Sequence, residues 1–169
     1  MPRLEDAEAY ARTKNVDVAF CKSIVFRLKS IGVTDENILC AAYLYNARSG
    51  FDEIFSRFGR EIATVVVSIS KDMTLPRQRQ QEQYVKQMQE APWGAVLIKL
   101  CEASANLKFI KETEMSKTKR AKMLKQNIHL LNILKRKVVE NKAGTPGIER
   151  LLDGLNETLG FFKQKPIAF

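Results

Sequence analysis

The chain has 169 residues, of which 45% are hydrophobic and 28% charged, and it carries a formal net charge of +9. That length suits one domain, 1–169, around one core, and the balance excludes a disordered chain. No apolar run approaches the ~20 residues needed to cross a bilayer, and Met1-Pro2-Arg3-Leu4-Glu5-Asp6 has no apolar signal segment behind it, so a cytoplasmic address and no membrane partner are expected.

In chain order, Glu5 to Lys14 reads as a short helix. Asp17 to Ile31 is the next, with Ile24, Val25 and Leu28 at helical spacing and Gly32 closing it. Thr34 or Asp35 caps a third helix, which is apolar on most sides from Ile38 to Leu44 and therefore central. Phe51 to Phe58 is short and amphipathic, ending at Gly59. The run Ile62 to Ile69 is β-branched and suits a strand by propensity. No second strand is on offer to pair its backbone, so a helix from Glu61 to about Ser70 is expected. Gln78 to Glu90 is Gln-rich and belongs on the surface. A helix then starts at Pro92 and runs to about Phe109. Ser116 to Asn141 carries a stripe at Leu124, Ile128, Leu131, Leu134 and Val138. Ala143 to Gly147 is a linker, and Ile148 to Phe162 the last helix. The expectation is an all-α, compact, irregular bundle of seven to nine helices.

The charge is concentrated. Residues 107–142 hold eleven cations against three acids, leaving +8 of the total there. Lys119, Arg120, Lys122, Lys135, Arg136 and Lys137 on the long helix form a candidate polyanion-facing surface. Aromatic residues that would stack bases are nearly absent from it, Phe109 excepted, which weakens a nucleic-acid partner. Cys21, Cys40 and Cys101 are widely spaced, with no CxxC or Cys/His cluster, and read as buried thiols. The one histidine, His129, reads as a partly buried structural residue.

Three ordered stretches resemble the HD phosphohydrolases. They are closest to the small hydrolases of guanosine tetraphosphate and the hydrolase domain of bacterial stringent-response enzymes. The stretches are Ile38 to Asn46 (ILCAAYLYN); Phe58-Gly59 with Val65-Val66 and Asp72 to Pro76 (DMTLP); and Gly94 to Glu102 (GAVLIKLCE) with Asn106-Leu107. The likeness covers about residues 17 to 162 and implies an HD-domain-like fold. It also implies a divalent metal, manganese in this subfamily, held by a first His, a His-Asp pair and a distant Asp. Here these positions fall at Phe20, Tyr45-Asn46 and Glu102, and the family's Glu-Asp acid pair falls at Ser49-Gly50. One histidine cannot supply two imidazole ligands, so no metal cofactor is expected.

Lys99 and Asn106 survive from the family pattern, and Arg48 lies close to the substituted pair. Arg48, Lys99 and Asn106 are thus candidate ligand-binding residues. Lys99 either meets a phosphate or snorkels off a helix end, and Asn106 either bridges helices or binds ligand. The aromatic bulk of Phe20 and Tyr45 either fills the vacated metal site or makes a floor for a purine. Phe20 and Tyr45 are expected to touch each other and the neighbourhood of Glu102. The reading drawn from the lost ligands is a catalytically inactive module with a regulatory, nucleotide-binding or interaction role, its candidate partners a purine nucleotide, a protein or a second copy. Two alternatives stand beside it: polyanion binding through residues 107–142, and residual hydrolysis of a guanosine polyphosphate or other nucleotide at an unconventional site using Glu102 and Asn46.

Overall fold

In the computed structural model, which describes residues 3–169, every regular element is helical. Met1 and Pro2, part of the N-terminal segment read above, lie outside the described residues. The helices are α1 (Leu4–Thr13), α2 (Val18–Ser30), α3 (Glu36–Leu44), α4 (Phe51–Phe58), α5 (Arg60–Ser68), α6 (Arg77–Glu90), α7 (Trp93–Glu112), α8 (Lys117–Asn141) and α9 (Ile148–Phe161), with a 3₁₀ turn at Lys142–Gly144 inside the linker. The β-branched run is indeed helical, as α5. Its Ile62, Ala63 and Val66 are buried, so tertiary burial overrides β-propensity there.

Local chemistry sets the helix ends. Asp17 accepts from the Phe20 amide at the start of α2, Asp35 from Asn37 at the start of α3, and Ser116 from Lys119 at the start of α8. Gly59 separates α4 from α5 at φ +90°, a conformation open to glycine and strained for other residues. Pro92 precedes α7 in extended backbone rather than starting it.

Two helices make the centre. Six of nine side chains of α3 are buried and eleven of twenty of α7, so neither has an exposed polar face of ordinary width. Helix α3 packs against α1, α2 and α5, and α7 against α2, α8 and α9. The ends of α2 and α9 meet closely, because a Cβ on Gly147 would stand 2.5 Å from the Ile31 carbonyl oxygen. Trp93 Nε1 donates to Thr145 Oγ1 beside that junction. The three cysteines are buried, and burial pushes their thiols up, to about 11 at Cys21 and Cys40 and about 12 at Cys101.

The surface elements follow expectation with corrections. Helix α6 buries only Met88, and its Gln87 amide donates to the Val67 carbonyl at 3.0 Å. Along α8, Leu124, Leu131, Leu134 and Val138 are buried as expected. Ile128 is only half-buried, because Asn127 and Leu130 share the inward face. His129 is exposed rather than partly buried, since it lies on the outer side of that helix. Lys119, Lys122 and Arg136 are exposed, whereas Arg120, Lys135 and Lys137 are half-buried, with their stems along the helix flank. Among the described residues no helix is long and apolar enough to cross a membrane.

Candidate functional site

Of the family-derived positions, Tyr45 and Glu102 meet around Lys99, between α3 and α7. Tyr45 closes the C-terminal end of α3 and is 4% exposed. Its carbonyl accepts from Ser70 Oγ at 3.1 Å, which ties the end of α3 to the end of α5. Lys99 and Glu102 lie three apart on α7, hence on one face of it. Lys99 is 5% exposed, and its ammonium donates to both oxygens of Glu102, at 2.9 and 2.8 Å. It stands 5.4 Å from the centre of the Tyr45 ring and 5.6 Å from that of Tyr84, which α6 supplies. Lys71 stands 5.0 Å from the Tyr84 ring as well.

The electrostatics follow from burial and this pairing. Desolvation opposes charge on Lys99, but the Glu102 carboxylate, with help from Tyr84, outweighs it and holds the ammonium above its ordinary pKa. Burial first, and the Glu102 carboxylate second, push the Tyr45 hydroxyl far above its usual value, so it stays a neutral O–H donor. That hydroxyl is buried and makes no hydrogen bond of sound geometry.

The remaining candidates sort by place. Phe20 is half-buried on α2, which packs on both α3 and α7. Asn46 and Arg48 are exposed just beyond α3, and Arg48 adopts the left-handed region at φ +54°. Asn106 does not face the cluster: its Nδ2 donates to Asn127 Oδ1 at 3.3 Å, bridging α7 to α8. Lys99 does not snorkel to a helix end; its charge is spent inside the fold on Glu102.

A second cluster escaped the sequence reading. The Tyr10 hydroxyl of α1 donates to the Glu53 carboxylate of α4 and stands 2.7 Å from Ser49 Oγ. Lys14 Nζ is 2.9 Å from Glu53, and the Arg57 guanidinium lies 5.1 Å from the Tyr10 ring. Ser49 is where the resemblance puts the first residue of the family's acid pair, and the carboxylate it meets is that of Glu53, four residues on. The Tyr10 hydroxyl, then Lys14, hold Glu53 down to about 2 from an ordinary 4.5. A depressed carboxylate stabilises the fold fully above 4.5 and loses that contribution as pH falls toward 2. Urea unfolding from pH 6 to pH 2 checks this. Wild type should exceed Glu53→Gln in midpoint at pH 6, and the gap should close between about 4.5 and 2.

The manganese implied by the resemblance does not fit these residues. Among the described residues no three His, Cys, Asp or Glu side chains gather as a metal set. The one carboxylate at a family ligand position, Glu102, has both oxygens taken by an ammonium.

No known family's sequence model matches the chain. It is 32% identical over 81 residues to the guanosine-3′,5′-bis(diphosphate) 3′-pyrophosphohydrolase MESH1 of Mus musculus, a span of 46% of this chain and 45% of the relative. It is 29% identical over 84 residues to the MESH1 of Xenopus tropicalis, 47% of each chain. The chain thus spans about half the length of the curated relatives it matches. Among solved structures it superposes with TM-score 0.74 and 20% identity on a metazoan ortholog of SpoT described as hydrolysing ppGpp, covering 95% of this chain and 98% of that one.

These relatives overturn the reading of catalytic inactivity, because the proteins this chain resembles are named as hydrolases. The inference went wrong in taking the loss of the metal ligands for the loss of activity. At one of the substituted positions the Glu102 carboxylate is instead held by the buried Lys99. In fold this is an all-α, HD-domain-like protein, and in sequence it resembles the alarmone hydrolases.

Proposed function

We propose that this protein acts on a guanosine polyphosphate as a phosphohydrolase with an unconventional, metal-independent site. The observation that carries the reading is the buried Lys99–Glu102 pair beside Tyr45, at family ligand positions. Arriving phosphate oxygens compete with Glu102 for the Lys99 ammonium, a charge-assisted donor to either partner. The carboxylate so released is a base within reach of water, since the Glu102 side chain keeps 17% of its surface exposed. Water loses a proton to Glu102 as its oxygen attacks the phosphorus of the 3′-diphosphate. The bond from that phosphorus to the nucleoside oxygen breaks, pyrophosphate leaves, and the proton ends on the nucleoside hydroxyl. Asn46 and Arg48, exposed at the end of α3, offer an amide and a cation at the rim.

Base catalysis by one positioned carboxylate contributes roughly 10²–10⁴-fold, so turnover is slow. The test is guanosine tetraphosphate with the purified chain in EDTA, following pyrophosphate by phosphorus NMR over a day. Release above the protein-free rate is expected, with loss in Glu102→Gln. A wild-type rate equal to the blank, or full activity in Glu102→Gln, would refute the proposal.

A further inference from the structure

A guanosine polyphosphate brings several negative charges to whatever site receives it. Where the resemblance implies a divalent ion, the last ligand position, Glu102, instead has its two oxygens at 2.9 and 2.8 Å from Lys99 Nζ. At the first position of the family's His-Asp pair, Tyr45 turns a ring to the same nitrogen at 5.4 Å, and Tyr84 adds another at 5.6 Å. A carboxylate and two aromatic faces are the surroundings that hold a monovalent ammonium.

We infer that the Lys99 ammonium is the resident cation of this site, tethered to α7 in place of a divalent metal, and that it meets a ligand phosphate together with the Tyr45 hydroxyl. An ammonium has three donors. Two go to Glu102, and Tyr84 is the remaining polar neighbour with which a ligand oxygen would share the third. The Tyr45 O–H is buried near the Glu102 carboxylate and makes no hydrogen bond of good geometry. A buried donor of this kind is rarely left unmet, so the Tyr45 hydroxyl close to the Lys99 ammonium marks where an acceptor belongs. Phosphate oxygens are such acceptors. For its ligand the inference rests on the nucleotide reading above; for its cation it does not.

The experiment has two arms on the full chain. In the first, Mn²⁺ alone is titrated into wild type by calorimetry, with bound metal counted after desalting. The expected result is no stoichiometric uptake, and one tightly held ion per chain would overturn the inference. In the second, guanosine tetraphosphate binding is measured in EDTA and in 1 mM Mn²⁺. Affinities should agree within about twofold, fall at least tenfold in Lys99→Gln and fall roughly fivefold in Tyr45→Phe, which keeps the ring and removes the donor. Binding that requires Mn²⁺, or that Lys99→Gln leaves unchanged, would overturn the inference. If Lys99→Gln does not fold, Lys99→Met/Glu102→Leu replaces it and must show the same loss. Absence of nucleotide binding to wild type in both buffers would refute the function reading, and the Mn²⁺ arm alone would then decide the cation.

Discussion

Lys99→Met should lower the stability of the fold by about 3–5 kcal/mol, the cost of removing one partner of a buried ion pair. The Lys99 side chain is 6% exposed and that of Glu102 17%, so water cannot fully replace the lost ammonium. The variant leaves the Glu102 carboxylate without its ammonium. Adding Glu102→Leu should recover most of the loss, because a buried pair replaced by apolar groups of similar volume is close to neutral. Urea midpoints of wild type, both single variants and the double variant at pH 7 complete the cycle. Equal stability of wild type and Lys99→Met would mean that the pair is solvated and the site open.

Gly147→Ala should cost about 3 kcal/mol, at the top of the usual range for overpacking. The added methyl would stand 2.5 Å from the Ile31 oxygen and 2.8 Å from its carbonyl carbon, and backbone cannot rotate away. Gly94→Ala is the control. There the methyl meets Ile38 Cδ1 at 2.7 Å and Cγ1 at 2.8 Å, side-chain atoms that can move by rotation about χ1, and alanine in α7 recovers up to about 1 kcal/mol of helix propensity. For a chain of this size 1 kcal/mol moves the midpoint by roughly 2–4 °C. Thermal unfolding should therefore show a fall of roughly 6–12 °C for Gly147→Ala and little change for Gly94→Ala. Comparable shifts in the two would mean that the α2–α9 junction yields.

The helices were legible because their signals are local. Asp17, Asp35 and Ser116 each cap the helix that the apolar spacing announces. Helix α5 was legible only by elimination, since its β-branched residues argue for a strand and only the missing partner strand argues against. Tyr45 and Glu102 were found through spacing shared with a family, and Lys99 likewise. Their union was missed, although Lys99 and Glu102 stand one helical turn apart, the spacing of a side-chain pair. Tyr84 was not legible, because nothing in the Gln-rich α6 says that its thin apolar stripe lies near α7. The Tyr10–Ser49–Glu53 cluster joins residues 39 and 43 positions apart, and no periodicity encodes such a contact. His129 was misread because a lone histidine on an amphipathic helix carries no mark of which side it takes.

The three cysteines have a consequence for how this molecule is observed. A thiol reagent attacks the thiolate, and here each thiol is both sealed from the reagent and held protonated well above neutral pH. They lie on α2, α3 and α7, so between them they sample the centre of the bundle. The folded chain is therefore silent to alkylation, and each reacted cysteine dates an opening of the helix that carries it. The protein is built with three internal clocks, and the order in which they run is the order in which its core comes apart.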